Sequence, residues 1–526
     1  MGVLRIGVLV YLACASVVSD EDAVCLLQLR GNPSKATVES HQAASFSEKP
    51  AEVSKKMVHT DPLDVVVGEN REEGAAIAGA EPIRQHSQNR EEQRRSLGQV
   101  LWAFAFCSAA VALLWVVGAL EPYTIGIAAC LACTDAGCLA TASEAGAYFG
   151  YRFASLQLLL IPLLYCTQEL AVRLGASTQT PLVVLMKQRW GREAAGVVTV
   201  MLLVTCAAAV LSNLRAVFEI GAMWQISAAS TCSLVAIILA LPLALQLSKS
   251  SFKPTTVLIC GIGLGTLMFP VLMAYSNIDQ RKMTMATTAD LGKDETLKNL
   301  AAANIGSVMV PWLLFFQQGA MIKSSGTRLV ESMLQSGRIG TAIGAVLAQI
   351  LMFSILVATA AADDLAARPV DTARYTSMVT AFSSEFTLSG AQLAVGTGII
   401  SSALVSMIVA LQTSAWVLED LVVDSCGDKA PPRLATGAYA GSLILFVSLA
   451  LVGVTHQLLD TVAQVVDGFL TPAVVAFLYA EAVWFVHKSA RLSGRVAWAT
   501  GVVLVLGLAV AVTESFEDIF IFRAHV

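Results

Sequence analysis

Residues 123–151 read YTIGIAACLACTDAGCLATASEAGAYFGY, and residues 300–318 read LAAANIGSVMVPWLLFFQQ. Each is an apolar run able to enter a membrane, and each is interrupted near mid-depth. In the first, Ala132-Cys133-Thr134-Asp135-Ala136-Gly137-Cys138 sets a carboxylate beside a glycine; in the second, Met309-Val310-Pro311-Trp312 sets a proline. Proline removes a backbone donor and clashes with the preceding turn, and glycine lets the chain leave the helix. A carbonyl freed in this way is costly in lipid, so such breaks persist only inside a protein or along a wet cavity. Interrupted helices at matching positions of two halves point to the substrate site of a secondary transporter.

The rest of the chain fits that reading. It has 526 residues, of which 56 % are apolar and 14 % charged, well short of the roughly 25 % charge of soluble domains. The shortfall takes the form of repeated apolar runs of about twenty residues, the length that spans a hydrocarbon core. Spans are predicted near 99–119, 123–149 (interrupted), 153–172, 194–221, 227–247, 256–275, 300–322, 338–361, 391–418, 434–455, 457–483 and 496–513. The two breaks thus lie five spans apart. Five spans reverse the direction of travel through the membrane, so halves that begin with the broken spans form inverted repeats. The predicted fold class is an all-α polytopic membrane protein, an inverted-repeat secondary transporter of LeuT-like five-plus-five plan, with one extra N-terminal helix and a C-terminal helix. Its predicted layout is a signal peptide (1–19), a disordered polar segment (20–97), an extra transmembrane helix (98–119), a first repeat (120–275), an extracytoplasmic loop (276–299), a second repeat (300–483), and the last transmembrane helix with its tail (484–526).

The signal peptide is read from Arg5, the apolar run Ile6–Val18 and the small residues Ala13-Cys14-Ala15. Residues 20–97 are rich in Glu, Gln, Ser, Lys and Arg, a composition that buries too little surface to offset chain entropy. Basic residues then set the orientation. Lys187, Arg189 and Arg192, Lys249 and Lys253, Lys323, Arg328 and Arg338, Lys429 and Arg433, and Lys488, Arg491 and Arg495 all fall in alternate loops. Those loops share one side, cytoplasmic by the positive-inside rule. Counting back places the N-terminal tail outside the cytoplasm, where a signal peptide also sends it.

Within the spans, Asp135 is the foremost candidate for function. A carboxylate at the bilayer centre costs several kcal/mol unless paired or solvated, and beside freed carbonyls it makes an oxygen site for a cation. Gln317 and Gln318 follow the second break, Gln464 and Asp467 lie in the eleventh span, and Asn213, Arg215 and Glu219 lie in the fourth. Arg215 and Glu219, four apart on one face, have the simpler alternative of pairing with each other. Glu144 and Glu169 lie near helix ends, where solvation alone can account for them. Of the eleven cysteines, Cys130 and Cys133 form a CxxC. No second pair or nearby histidine completes a zinc site.

At these residues the sequence resembles the natural resistance-associated macrophage protein (NRAMP) family of divalent metal transporters. The resemblance runs through Asp135-Ala136-Gly137-Cys138, Glu144-Ala145-Gly146-Ala147-Tyr148-Phe149-Gly150-Tyr151, and Gln168-Glu169-Leu170-Ala171-Val172-Arg173-Leu174-Gly175, and is traceable over about 120–513. It implies ion ligands at Asp135, Ala132, Cys138, Ser307, Met309 and Gln464, with Gln317, Gln318, Asp467 and Asn213 as candidates to line the site. The departures are specific. Cys138 stands where the family has a ligating Asn, and Val310-Pro311-Trp312 where it reads Met-Pro-His. Asn213 aligns with an acidic proton-route residue. Pro311-Trp312 with Phe315-Phe316-Gln317-Gln318, and Ser414-Ala415-Trp416, look more like the NRAMP-related magnesium transporter branch. Oxygen ligands favour Mg²⁺ or Mn²⁺, and a thiolate at Cys138 favours a softer ion.

The predicted function is transport of a divalent cation, Mg²⁺ or Mn²⁺, by alternating access. Amino-acid or other cation-coupled symporters share the plan, but Asp135 would repel an anionic substrate. No His–Glu, Ser–His or nucleotide motif of an enzyme lies in the spans. No cofactor, nucleic acid or obligate protein partner is expected, the bilayer being the surroundings. The six histidines, His41, His59, His86, His456, His487 and His525, fall in the tail, loops or span ends. With Asn213 at the relay position, weak or absent proton coupling is expected.

Overall fold

A computed structural model describes residues 108–109, 120–248, 252–286, 295–324, 329–362, 374–382, 388–426, 434–452, 456–487, 490–492 and 494–525. The predicted signal peptide, the polar segment and nearly all of the extra N-terminal helix lie outside the described residues. All regular structure among the described residues is helical. Eight stretches are long and apolar enough to cross a membrane, and two shorter apolar helices, Leu434–Leu449 and Gly494–Ala509, accompany them. Large apolar side chains such as Leu159, Ile237, Trp498 and Leu506 are exposed on outward faces, as suits a surface solvated by lipid.

The first half contains α1 (Thr124–Ala132), α2 (Ala136–Phe149), α3 (Ala154–Thr178), a short α4 (Leu182–Trp190), α5 (Arg192–Met223), α6 (Ala228–Ser248), α7 (Lys253–Gly263) and α8 (Met268–Tyr275). A linking α9 (Gln280–Ala286) leads to the second half: α10 (Glu295–Gly306), α11 (Pro311–Ser324), α12 (Val330–Ala361), the short α13 (Arg374–Phe382), α14 (Leu388–Cys426), α15 (Leu434–Val452) and α16 (His456–Ala480). After α16 comes one π turn, Glu481–Phe485, and then α17 (Gly494–His525). Two details depart from the sequence reading. The span expected at 256–275 is interrupted by a 3-10 turn at Leu264–Leu267. The broken span expected at 300 begins at Glu295.

The packing is that of an inverted repeat. Pairing each span of the first half with the span five places later exchanges observed contacts for observed contacts. The α1–α2 pair packs on α12, and its counterpart α10–α11 packs on α3. The contact of α5 with α16 exchanges with that of α14 with α7 and α8, and α1 with α7 exchanges with α11 with α16. The contacts α3–α12, α5–α14 and α6–α15 exchange with themselves.

Close approach of α1 to α12 depends on missing side chains. Gly340 and Gly344 lie four apart on α12, the small-xxx-small spacing that lets helix backbones meet in membranes. A Cβ at Gly344 would sit 2.7 Å from the Gly126 carbonyl oxygen and 2.8 Å from Cys130 Cβ. At one end of the bundle, ion pairs tie the helices together. Arg338 on α12 meets Glu169 on α3 at 3.1 Å, and Arg189 on α4 meets Glu481 at 2.9 Å. Lys187 pairs with Asp424, and Lys323 with Glu419. Arg173 pairs with Glu169 on the same helix and donates to the Ala490 carbonyl. Four of the basic residues that set the predicted orientation therefore gather at the same end.

Gly344→Leu is expected to push α1 off α12, at a cost of about 1–3 kcal/mol or more for overpacking at a backbone contact. A lowered thermal midpoint of the purified protein in detergent, with Ile343→Leu on the exposed face unchanged, checks this.

Candidate functional site

The last turn of a helix leaves carbonyls without partners. At the end of α1, Cys133 N–H takes the Cys130 carbonyl at 3.2 Å and Thr134 N–H takes that of Leu131 at 3.1 Å, leaving Ala132 as the final helical residue. Asp135 then turns extended, with φ −65° and ψ 172°, and caps α2 by accepting from Cys138 N–H at 2.7 Å. Such a cap stabilises a helix start by about 1 kcal/mol, and the carboxylate also suits the positive end of the helix dipole. The next free donor, Ala136 N–H, goes to Asn213 Oδ1 on α5 at 3.1 Å. Asn213 Nδ2 in turn donates to the Ala209 carbonyl at 2.7 Å and to Ser406 Oγ on α14 at 3.3 Å. Ser402 Oγ, also on α14, donates to the Thr134 carbonyl.

The second break is Ser307–Val310. Its residues close tight turns back onto α10, with Val308 N–H on the Ile305 carbonyl at 3.3 Å and Met309 N–H on that of Gly306 at 3.1 Å. Thr471 on α16 donates to the Met309 carbonyl at 3.2 Å. Pro311 is not the gap itself, as the sequence reading had it. It is the first residue of α11, where its lack of an N–H costs nothing and its fixed φ suits the helix.

The two breaks meet. Cys133 Sγ lies 3.3 Å from the Ser307 carbonyl oxygen and 3.9 Å from that of Val308, and Cys138 Sγ lies 4.0 Å from that of Ser307. Asp135, Cys138 and Ser307 are only partly buried. Thr141 and Glu144 continue the partly exposed stripe along α2 at helical spacing. Beyond the breaks the pattern reverses: residues 126–134 of α1 and its end, and 311–318 of α11, are buried throughout. Partial exposure at the meeting point thus continues along α2 and α10, and burial along α1 and α11. Among the described residues no three His, Cys, Asp or Glu side chains are already grouped to hold an ion.

The remaining predicted residues separate into groups. Ala132 and Met309 border the breaks with buried side chains. Asn213 holds the first break in place. Gln317 donates to Thr341 on α12 at 3.2 Å, with its Oε1 unpartnered. Gln318 serves the turn before α4, donating to the Thr180 carbonyl at 2.6 Å and accepting from Leu182 N–H at 3.2 Å. The hydrogen bonds this pair makes are therefore directed to α12 and to the turn before α4. Asp467 is partly buried on α16 with an unpartnered Oδ1. Gln464 is on the same helix, its side chain outside the described residues. Arg215 is exposed, and Glu219 accepts from Tyr375 N–H at 3.3 Å. Glu169 is buried in its ion pairs rather than solvated. Sequence reading missed Cys133, Ser402 and Thr471. Cys133 was visible only as half of a CxxC, yet Cys130 turns away from it to the Thr341 carbonyl at 3.7 Å.

Asn213→Ala removes the acceptor of Ala136 N–H and leaves a buried donor unpaired, a loss of about 1–3 kcal/mol. Faster amide exchange of residues 133–138, measured by hydrogen–deuterium exchange, is the expected result, with the α6–α15 region unchanged.

A family model described as natural resistance-associated macrophage protein-like matches residues 126–516. No curated protein matches the chain by sequence. Among solved structures, the manganese transporter of Eremococcus coleocola in complex with an aromatic bis-isothiourea substituted compound is similar in fold. It is 16 % identical, with a TM-score of 0.58, covering 76 % of this chain and 88 % of that one. A single-residue mutant of the same transporter gives 16 % identity and a TM-score of 0.59 over the same shares. The family match takes in both halves and both breaks, and the chain belongs to the natural resistance-associated macrophage protein family.

Proposed function

We propose that this chain carries divalent cations, Mn²⁺ or Mg²⁺, across a membrane by alternating access to a site between its two helix breaks. The observation that carries this reading is the meeting of the two breaks, where Cys133 and Cys138 reach the Ser307 carbonyl and Asp135 caps the helix that begins beside them. A carboxylate and exposed carbonyl oxygens are the ligands such ions take. In this reading the ion is held by Asp135, the carbonyls of Ala132 and Ser307, and Cys138, with Gln464 and Met309 as further ligands. Asp135 exchanges the solvation of water for an ion that needs its charge, which offsets the cost of keeping a carboxylate at this depth.

Access follows from the same geometry. In this reading the ion enters along the partly exposed residues of α2 and α10, and the ion pairs with buried α1 and α11 form the barrier at the other end. By the positive-inside rule the closed end faces the cytoplasm and the N-terminal tail lies on the other side. Parting the pairs Lys187–Asp424 and Lys323–Glu419 would let the ion leave on the cytoplasmic side.

Asp135→Asn isolates the charge, because Asn caps a helix as well as Asp does. One carboxylate charge facing a divalent ion at about 4 Å is worth roughly 8 kcal/mol at an effective dielectric near 20, which is well over a thousandfold in binding. Mn²⁺ or Mg²⁺ uptake into proteoliposomes should therefore fall to background. Uptake equal to that of the parent would move the site elsewhere.

Asn213 and the absence of histidine from the spans favour uncoupled transport. A pH-sensitive dye trapped in the vesicles should report little acidification during metal uptake. Stoichiometric acidification that Glu219→Gln abolishes would show coupling instead.

A further inference from the structure

We propose that the end of α16 and the start of α17 form a binding site for the headgroup of an anionic phospholipid. Arg491 and Arg495 take the phosphate, and Trp484 and Trp498 lie beside the glycerol and the upper acyl chain. The site is separate from the helix breaks and does not depend on the carrier reading.

Depth in the membrane can be read along α17. Arg495, Trp498, Val502 and Val505 follow one another at spacings of three, four and three, which puts them on one face of a helix. All four are exposed, Trp498 at 74 %. Charge, then an indole, then aliphatic side chains is the order met in passing from a membrane surface into hydrocarbon, with Trp at headgroup level. The π turn after α16 presents Trp484, 59 % exposed, and Phe485. Backbone contacts fold these two elements together. Leu492 N–H donates to the Ala482 carbonyl at 2.9 Å, and Tyr479 Oη donates to the Ala497 carbonyl at 2.9 Å. Arg491 Nη2 donates to the Trp484 carbonyl. Arg491 is therefore fixed beside one indole, and Arg495 lies one turn from the other.

The charge of this surface has one sign. Residues 484–498 contain Lys488, Arg491 and Arg495 and no carboxylate. Glu481, just before them, is buried and paired with Arg189 at 2.9 Å, and Arg189 also lies over the Phe485 ring at 3.9 Å. Guanidinium forks match phosphate oxygens, and basic pockets at helix ends take anionic headgroups. A zwitterionic lipid would answer the aromatic part of the surface and not its excess positive charge. A soluble anion would answer the arginines and not the exposed apolar face that runs on from them through Val502 and Val505. A lipid with net negative charge answers both.

The test places the full chain in phosphatidylcholine bilayers that hold a small fraction of lipid brominated on its upper acyl chain, either phosphatidylglycerol or phosphatidylcholine. Bromine quenches indole fluorescence at close range, so the signal reports which lipid lies against the tryptophans. Brominated phosphatidylglycerol should quench more than brominated phosphatidylcholine at equal mole fraction, and Trp484→Phe with Trp498→Phe should remove that excess. Arg491→Gln with Arg495→Gln should weaken the preference for phosphatidylglycerol about twentyfold or more, since each arginine at an anionic surface is worth about fivefold. Arg281→Gln, an exposed position on α9 between the two halves, removes a charge away from the patch and should leave the preference intact. An unchanged gel-filtration profile and unchanged quenching by brominated phosphatidylcholine separate lost lipid binding from lost folding. Equal quenching by the two lipids in the parent, or an excess that survives the loss of both arginines, would overturn the site. An excess lost equally in Arg281→Gln would also overturn it, in favour of attraction to the overall charge. The readout needs no transport, so it holds or fails independently of the carrier reading.

Discussion

A backbone amide or carbonyl freed inside a membrane protein has to find a partner there, because lipid offers none. That constraint organises this molecule. Two helices stop near the middle of the bundle, and the groups they release are claimed by side chains from other helices. Asn213 accepts from Ala136 N–H, Ser402 donates to the Thr134 carbonyl, and Thr471 donates to that of Met309. The partners of the first break come from both halves, α5 and α14, so that break is satisfied only with the second half in place, whereas the second break is met by α16 of its own half. The inverted-repeat packing is the arrangement that brings them there.

The same constraint leaves some groups for a ligand. Asp135 is held as a helix cap yet remains partly exposed, and among the described residues the Ser307 carbonyl meets thiols, which are weak donors. Oxygen atoms that are fixed in place but weakly engaged are preorganised for a cation, which then gains interactions without first breaking strong ones. In the proposed carrier, buried α1 and α11 and the ion pairs form the barrier on one side of the site.

Much of this was legible in the sequence, for a physical reason: breaks in apolar runs need Asp, Gly or Pro, and these stand out against Leu, Ala and Val. The spans were legible because lipid demands long apolar stretches. What stayed hidden depends on side-chain direction. Gln317 and Gln318 follow the break but face α12 and the turn before α4, and no spacing rule states which way a residue on a fully buried helix points. Pro311 was read as the gap because proline breaks helices; at the first position it starts one instead. Asn213 was read by its place in a resemblance to a proton route, and its work at the Ala136 amide emerged only from three-dimensional contact. Cys133 was hidden by its sequence neighbour Cys130, since a CxxC at a helix end need not put both thiols in one place.

The proposed carrier grips its cargo between the broken ends of two symmetry-related helices. Anomalous X-ray scattering from crystals of the full chain soaked in Mn²⁺ tests that directly. The expected result is a single peak at coordination distance from both Asp135 and the Ser307 carbonyl, absent in Asp135→Asn crystals. Manganese bound only outside the gap between the breaks, or bound in the gap equally well without the Asp135 charge, would contradict it.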